Sequence, residues 1–298
     1  MSYLYDYAII GGDNRQLFLA DLLTQTGGSV CYYGLSPCAL PCKYIPCFMN
    51  KTIVASQSLQ DAVEHSRIII GPVPFTKDKT YLTSDSSLGI LVEDVLNLLR
   101  PDQILYAGAI SKQLMDKSKE LGLKFIDIMK FEPVSLLNAI ATAEGAICEA
   151  IRHSIINIQG SNILVLGFGR CGQILAKKLA ALDGNVTVSI RKEESMSLAL
   201  AYGYESFLLK DLKDQISNYH FIFNTIPAMV LTQDILKQVP EETAIIDIAS
   251  APGGVDFNYT NDHCYNAGLY LGLPGKMSPK SSAKILLDAI LQDCKKKI

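Results

Sequence analysis

The chain has 298 residues, of which 49% are apolar, and carries a formal net charge of −3 with a pI of about 5.8. This length allows two domains of about 100 to 200 residues, and the apolar content predicts globular domains rather than disorder. The lack of a basic surplus argues against nucleic acid as a partner. No apolar run approaches the roughly 18 residues of a membrane span, so we expect a cytoplasmic protein with no membrane partner.

The first 130 residues alternate short β-branched runs with helical patterns, which is typical of βαβ units in a parallel sheet. Strands are predicted at residues 7–10, 29–33, 67–70, 103–106 and 124–128, and helices at 15–24, 87–99 and 112–121. These elements predict a five-stranded, doubly wound, flavodoxin-like domain over residues 1–130, which we expect to bind substrate.

A cysteine cluster interrupts this domain in the stretch SPCALPCKYIPC, at Cys38, Cys42 and Cys47. The spacing does not match a paired C-x-x-C zinc pattern, and no histidine lies nearby. We therefore expect a proline-rich loop with reduced thiols and no metal.

The second half repeats the alternating pattern after a helical stretch at 131–155, which predicts a connector between two domains. Strands are predicted at residues 163–166, 186–190, 221–224, 244–248 and 269–271, within a Rossmann domain over 156–276. A last amphipathic helix, at 281–294 within the segment 277–298, is expected to pack back toward the N-terminal domain. The predicted fold class is α/β, with two doubly wound parallel-sheet lobes.

The stretch ILVLGFGRCG has the parts of a dinucleotide fingerprint, an apolar strand followed by Gly167, Gly169 and Gly172 at the opening of a helix. In such a turn the first glycine permits the tight bend, the second lets the backbone approach the pyrophosphate, and the third lets helix and strand pack closely. We expect these residues to bind a dinucleotide, together with the residues between them, Phe168, Arg170 and Cys171.

The next predicted strand ends at Ser189, Arg191 and Lys192, where an NAD site usually has an acidic residue for the ribose hydroxyls. Arginine at this place suits a 2′-phosphate, so NADP is favoured and NAD is the alternative. Arg191 alone would also be consistent with a solvated charge at the end of a strand.

Two further loops follow predicted strands at the edge where ligands of open α/β sheets bind. The first contains Asn224, Thr225, Ile226 and Pro227, expected near the nicotinamide ribose, and the second contains Ser250, expected to bind substrate. Ordinary loop chemistry is the alternative for both.

The N-terminal turn, GGDNRQ, lacks the third glycine and is a poor nucleotide site. It still opens a helix, so its backbone N–H groups and the Arg15 guanidinium are candidates for binding a carboxylate, with Gly12 and Asn14 beside them. Asp13 is equally consistent with a helix cap.

Five motifs together carry a family resemblance: IIGGDNRQ, VLGFGRCG, FNTIPAMVL, DIASAPGGVDF and LGLPGKMSPKSSA. In this order, and over essentially the whole chain, they resemble the A subunit of dipicolinate synthase. The resemblance implies the NADP-binding subunit of an enzyme that makes pyridine-2,6-dicarboxylate in the mother cell of a sporulating bacterium. It also implies that the partner is a separate flavoprotein-like B subunit.

The implied reaction is oxidation of dihydrodipicolinate, or of 4-hydroxytetrahydrodipicolinate after dehydration, on a branch of the lysine pathway. The two substrate carboxylates would suit the cations Arg15, Lys276 and Lys280, the last as a catalytic candidate. In the connector, Thr142 is a further candidate for substrate binding and Glu144 is a further candidate for catalysis. Asp13, Glu144 and Asp256 are the acid/base candidates, each with a structural alternative as helix cap, helix surface or turn residue.

Three functions remain open at this point. The first is an NAD(P)-dependent oxidoreductase that acts alone or with the flavoprotein-like partner. The second is a nucleotide-binding scaffold or sensor whose chemistry resides in that partner. The third is another two-lobed NAD(P) dehydrogenase, such as an alanine-dehydrogenase-like or a methylene-tetrahydrofolate-dehydrogenase-like enzyme. We expect a homo-oligomer in each case.

Overall fold

The computed structural model describes residues 3–36 and 53–297. The chain divides into two compact units, the first formed by Met1–Leu137 with Ser278–Ile298 and the second by Asn138–Met277. One boundary falls inside the long helix Glu132–Arg152, so this helix contributes residues to both units.

The described strands form one sheet in each unit. The first sheet consists of β1 (Tyr5–Ile10), β2 (Val30–Tyr33), β3 (Ile53–Ala55), β4 (Ser66–Ile70), β5 (Ile104–Ala107) and β6 (Lys124–Asp127). The second consists of β7 (Asn162–Leu166), β8 (Asn185–Ile190), β9 (Glu205–Leu208), β10 (Phe221–Asn224), β11 (Ala244–Asp247) and β12 (Ala267–Leu269).

The helices that flank these sheets are of very different lengths. They are α1 (Asn14–Gln25), α2 (Leu59–Glu64), α3 (Val92–Leu98), α4 (Lys112–Glu120), α5 (Glu132–Arg152), α6 (Arg170–Ala180), α7 (Glu194–Ala201), α8 (Leu212–Gln215), α9 (Gln233–Leu236), α10 (Phe257–Asp262), α11 (Leu273–Met277) and α12 (Pro279–Lys297).

The two sheets share one topology. Their strand orders are β3-β2-β1-β4-β5-β6 and β12-β11-β10-β7-β8-β9, and every neighbouring pair is parallel. Counted from the first strand of each sheet, both orders are 3-2-1-4-5-6, the order of dinucleotide-binding folds. The predicted α/β class with two doubly wound parallel lobes is confirmed.

Helices bury both faces of the first sheet, which explains its continuous apolar strands. On one face, Leu19 and Leu23 of α1 and Ile290 of α12 share a buried cluster with Ile9 of β1. The C-terminal helix therefore returns to the first unit, as predicted.

The prediction of five strands in the N-terminal lobe was wrong, because β3 forms a sixth at the edge of the sheet. This strand has only three residues, two of them exposed, and shows no alternating pattern. The strand β9, also at an edge, was missed for similar reasons: it has four residues, none of them fully buried.

The predicted helix at 87–99 is shortened to α3, which begins only at Val92. The preceding residues pair with another backbone segment instead. Leu82 donates its N–H to the Ile90 carbonyl, and Tyr81 and Leu91 form an antiparallel bridge.

Helix α5 is long and apolar enough to cross a membrane, with a mean hydropathy of 1.4 over the relevant window. The helix is not an uninterrupted apolar run, because Ser135, Asn138 and Glu144 lie within it. The finding is weak evidence for a membrane helix, because 44% of that window is buried inside the protein and core helices of globular proteins meet the same criterion.

Candidate functional site

The glycine turn after β7 has the geometry of a dinucleotide site. Gly167 has a φ of +93°, and a Cβ there would lie 2.6 Å from Thr225 Oγ1. A Cβ on Gly172 would lie 2.1 Å from the Gly167 carbonyl oxygen, so helix and strand meet at a distance that no side chain permits. A Cβ on Gly169 would meet nothing within 4 Å. The backbone at Gly169 is therefore open to a ligand, which fits a pyrophosphate.

The turn lies where the strand order of the second sheet reverses, because β7 is the strand between β10 and β8. Ligands of open α/β sheets bind at this switch point, outside the carboxyl ends of the strands. Gly169 is the N-cap of α6 and provides no side-chain cap, so the first N–H groups of this helix have no side chain competing for them. They suit an anion.

The residues between the glycines have different surroundings. Phe168 is buried in the core, with its ring edge-to-face to those of Tyr202 and Tyr204. Arg170 is exposed at the start of α6. Cys171 is half-buried, and burial raises the pKa of its thiol, so we expect no thiolate there at neutral pH.

A buried pair fixes the two loops beside this turn. Asn224 Nδ2 donates to Asp247 Oδ1 at 2.9 Å, and Asn224 Oδ1 accepts the Ile226 N–H at 3.1 Å. Asp247 also accepts the N–H groups of Ala249 and Gly254, at 2.9 and 2.7 Å. Sequence reasoning missed Asp247. The only available signal was an aspartate at the end of an apolar strand.

Thr225 and Ile226 close one side of the turn. Thr225 Oγ1 donates to the Leu166 carbonyl at 2.8 Å, so this hydroxyl anchors the loop to the end of β7. Ile226 lies against Gly167, 2.9 Å from the position of a Cβ there, and Pro227 is exposed.

The predicted discriminators of the cofactor lie at the end of β8. Ser189 is completely buried, and its Oγ has no hydrogen-bond partner among residues 3–36 and 53–297. Arg191 and Lys192 follow the strand directly, and both are exposed. The three positions Ser189, Arg191 and Lys192 would therefore offer a 2′-phosphate two cations and no carboxylate.

The N-terminal turn, in the first unit, is occupied by its own groups. Asp13 caps α1 in a capping box with Gln16, and its carboxylate pairs with Arg15 at 2.7 Å. Arg15 also donates to the Val73 carbonyl, and its side chain is 5% exposed. Gly12 donates its N–H to the Thr83 carbonyl at 2.9 Å. Arg15 and the Gly12 N–H, which were predicted to bind an anion, thus bind other groups of the protein. Asn14, the third predicted residue, is the exception.

The other candidates are distributed over both units. In the second unit, Thr142 Oγ1 donates to the Asn138 carbonyl, and Glu144 pairs with Lys178 at 2.8 Å. Ser250 and Lys276 are exposed in that unit, and Lys280 is exposed at the start of α12 in the first.

Asp256 caps α10 by accepting the Tyr259 N–H, whereas the structural alternative considered for this residue was a place in a turn. The cysteines Cys38, Cys42 and Cys47 lie outside the described residues. Within the described ranges, no group of three or more His, Cys, Asp or Glu side chains is arranged to hold a metal.

Comparison with known proteins gives a consistent result. Residues 6–129 match the family model of the N-terminal domain of the dipicolinate synthase A subunit. Over 95% of its length the chain is 29% identical to the dipicolinate synthase A subunit of Bacillus subtilis strain 168, and the match covers 93% of that protein. The crystal structure of the corresponding protein from Bacillus halodurans superposes with a TM-score of 0.83 at 28% identity, over 98% of each chain.

An L-alanine dehydrogenase structure also superposes, with a TM-score of 0.63 at 14% identity, over 96% of this chain and 88% of that one. At such low identity the likeness shows the fold alone. The matches to dipicolinate synthase A subunits run instead along nearly the full chain, in sequence and in structure, so the chain resembles these A subunits over both of its units.

Proposed function

We propose that the chain is an NADP-dependent oxidoreductase that forms dipicolinate from dihydrodipicolinate, or from 4-hydroxytetrahydrodipicolinate after dehydration. The observation that carries this proposal is the open backbone at Gly169, at the switch point of the second sheet, in a chain that is similar to dipicolinate synthase A subunits over nearly its full length. Bound NADP would supply the hydride acceptor, and the aromatic product supplies much of the driving force.

The second unit would hold the cofactor through its own backbone and side chains. The N–H groups at the start of α6 would bind the pyrophosphate, and Arg191 and Lys192 would bind the 2′-phosphate. Asn224 and Asp247 would act as positioning residues, because they fix the loops at Ile226 and Gly254. NAD remains the alternative cofactor.

The substrate side of the proposal needs groups that bind two carboxylates and accept one proton. Lys276 and Lys280 are exposed cations without an ion pair within the described ranges, and Ser250 offers an exposed hydroxyl. Thr142 and Glu144 stay candidates on α5, and Glu144 would have to leave Lys178 to accept a proton. Asp13 is less suited, since its carboxylate already caps α1 and pairs with Arg15.

The remaining proposals rest on the similarity to dipicolinate synthase A subunits. They are a flavoprotein-like B subunit that serves as partner, homo-oligomerisation of the chain itself, and activity in the cytoplasm of the mother cell during sporulation.

A nucleotide-binding scaffold is the second candidate function, and a specific observation favours it. The N-terminal turn does not leave Arg15 free for a substrate carboxylate, because Asp13 and the Val73 carbonyl engage it. If substrate binding depends on that guanidinium, the chemistry would need groups from a partner protein.

The deciding experiment measures dipicolinate by terbium luminescence. The purified chain is incubated with the hydroxylated lysine-pathway intermediate and NADP or NAD, with and without the flavoprotein-like partner. Product with NADP alone supports a complete dehydrogenase. Product only with the partner supports a cofactor-bearing half of a shared site. No product from any combination of folded proteins would reject dipicolinate formation.

A further inference from the structure

Three buried polar atoms near the N-terminal turn have no hydrogen-bond partner among residues 3–36 and 53–297. They are Asn14 Oδ1, Gln16 Nε2 and Thr83 Oγ1. Buried polar groups in folded proteins are nearly always paired, and an unpaired one lowers stability. Such groups so close to one turn therefore need an explanation.

The three residues are held around Gly12. A Cβ on Gly12 would lie 2.5 Å from Gln16 Cδ, so the Gln16 side chain lies directly on this glycine, whose φ is +116°. The Gly12 N–H donates to the Thr83 carbonyl, and Asn14 is two residues along the chain. All belong to the first unit, at the carboxyl end of β1, where the strand order of the first sheet reverses.

The capping box determines which way the Gln16 amide faces. Asp13 donates its N–H to Gln16 Oε1 at 3.0 Å, which identifies that atom as the oxygen and fixes the amide orientation. The Nε2 group must then face away from the cap. Gln16 is completely buried, so its two N–H donors point into the protein and not into bulk solvent.

We propose that Gln16 and Thr83 bind a substrate carboxylate in the first unit through neutral donors, in place of Arg15. This inference rests on the proposed function and deepens it. A carboxylate accepts several N–H and O–H donors at once, and such charge-assisted bonds are strong in a water-poor site. Asn14 Oδ1 would accept a hydroxyl or ring N–H of the same ligand.

Arg15 has an indirect part in this arrangement. It holds the Asp13 carboxylate at the helix start, and Asp13 in turn holds Gln16. Arg15 is therefore a positioning residue for Gln16, and Asp13 neutralises the charge of its guanidinium.

The test is the affinity for pyridine-2,6-dicarboxylate, measured by titration calorimetry on the NADP-loaded chain, alone and with the flavoprotein-like partner. Thr83→Val removes one unpaired hydroxyl and keeps the shape, so we expect at least about tenfold weaker dicarboxylate binding. The melting temperature should stay equal or rise, which a purely structural hydroxyl would not do. Thr83→Ser should restore binding.

Gln16→Glu provides the second variant, because glutamate keeps the capping-box acceptor and replaces the donor by an anionic oxygen. We expect weaker dicarboxylate binding and unchanged NADP binding. Gln113→Glu, an exposed position on α4, makes the same charge change as the control and should leave both affinities unchanged.

The outcomes separate the two proposals. Wild-type affinity in both Thr83→Val and Gln16→Glu would overturn the carboxylate site and mean that water satisfies these atoms. A wild-type chain that binds NADP and no dicarboxylate in either condition would overturn the proposed substrate, and this inference with it.

Discussion

Asn224 and Asp247 are joined by a hydrogen bond of 2.9 Å between two side chains that are completely buried at the ends of neighbouring strands. The pair connects two loops that are far apart in the sequence. Asn224 holds the loop at Ile226, which touches Gly167, and Asp247 holds the loop at Gly254. One polar contact in the core thus sets the shape of the cofactor turn's surroundings.

Replacing Asp247 by asparagine should destabilise the protein. The new amide would place a donor against the N–H of Gly254 or Ala249, so one buried group would lose its acceptor. We expect the free energy of unfolding in urea to fall by about 1–3 kcal/mol at pH 7. Asp214→Asn changes an exposed carboxyl on α8 and should have no measurable effect.

The difference in stability between wild type and Asp247→Asn should depend on pH. Burial raises the pKa of Asp247 above its ordinary value of 3.8, against the opposing effect of its N–H donors. A raised pKa in the folded state means that stability from this group is complete below about pH 4 and is lost as the pH rises through the folded pKa. The stability difference between wild type and Asp247→Asn should therefore grow as the pH is lowered from 7 toward 4. A difference that shrinks would contradict this assignment.

Gly169→Val should abolish dinucleotide binding without harming the fold. The new side chain would enter the open space beside the turn, where a Cβ meets no protein atom within 4 Å. We expect unchanged urea stability and a loss of NADP affinity of about a hundredfold or more, measured by calorimetry. Ala180→Val, at the exposed far end of the same helix, is the matched control. Normal NADP binding by Gly169→Val would place the cofactor elsewhere.

The glycine turn could be predicted from the sequence because its constraints are local. Gly167 and Gly172 approach each other's backbone within six residues, and the spacing alone expresses that contact. The fold class followed from the alternating pattern for the same reason. The hydrophobic period and the length of a strand or helix are properties of one segment of the sequence.

The features that escaped prediction depend on contacts between distant segments. Asp247 accepts a hydrogen bond from Asn224, which lies 23 residues earlier in the chain. No sequence motif indicates that these two residues form a pair. Arg15 was expected to bind an anion, yet its guanidinium donates to the carbonyl of Val73, 58 residues along the chain. The edge strand β3 is too short to show a period.

Arg191→Ser should change the cofactor preference. Arg191 is exposed directly after β8, where a 2′-phosphate would lie in the proposed complex. Loss of a charge-assisted bond should weaken NADP binding by about 10- to 100-fold and leave NAD binding unchanged. Lys213→Ser removes an exposed cation on α8 and controls for net charge. Equal losses for both nucleotides would show that Arg191 does not recognise the 2′-phosphate.

Asp13→Ala should destabilise the first unit far more than the loss of a helix cap does. The cap alone contributes about 1 kcal/mol, but the substitution also leaves the Arg15 guanidinium, 5% exposed, without its carboxylate. We expect a loss of about 3–5 kcal/mol and a smaller one for Asp13→Asn, which keeps the cap. Urea unfolding of Asp13→Ala, Arg15→Met and the double variant gives their coupling energy, which should exceed about 1 kcal/mol. Additive effects of Asp13→Ala and Arg15→Met would contradict the pairing. If Asp13→Asn kept normal stability and lost turnover, Asp13 would again be a candidate for the proton acceptor.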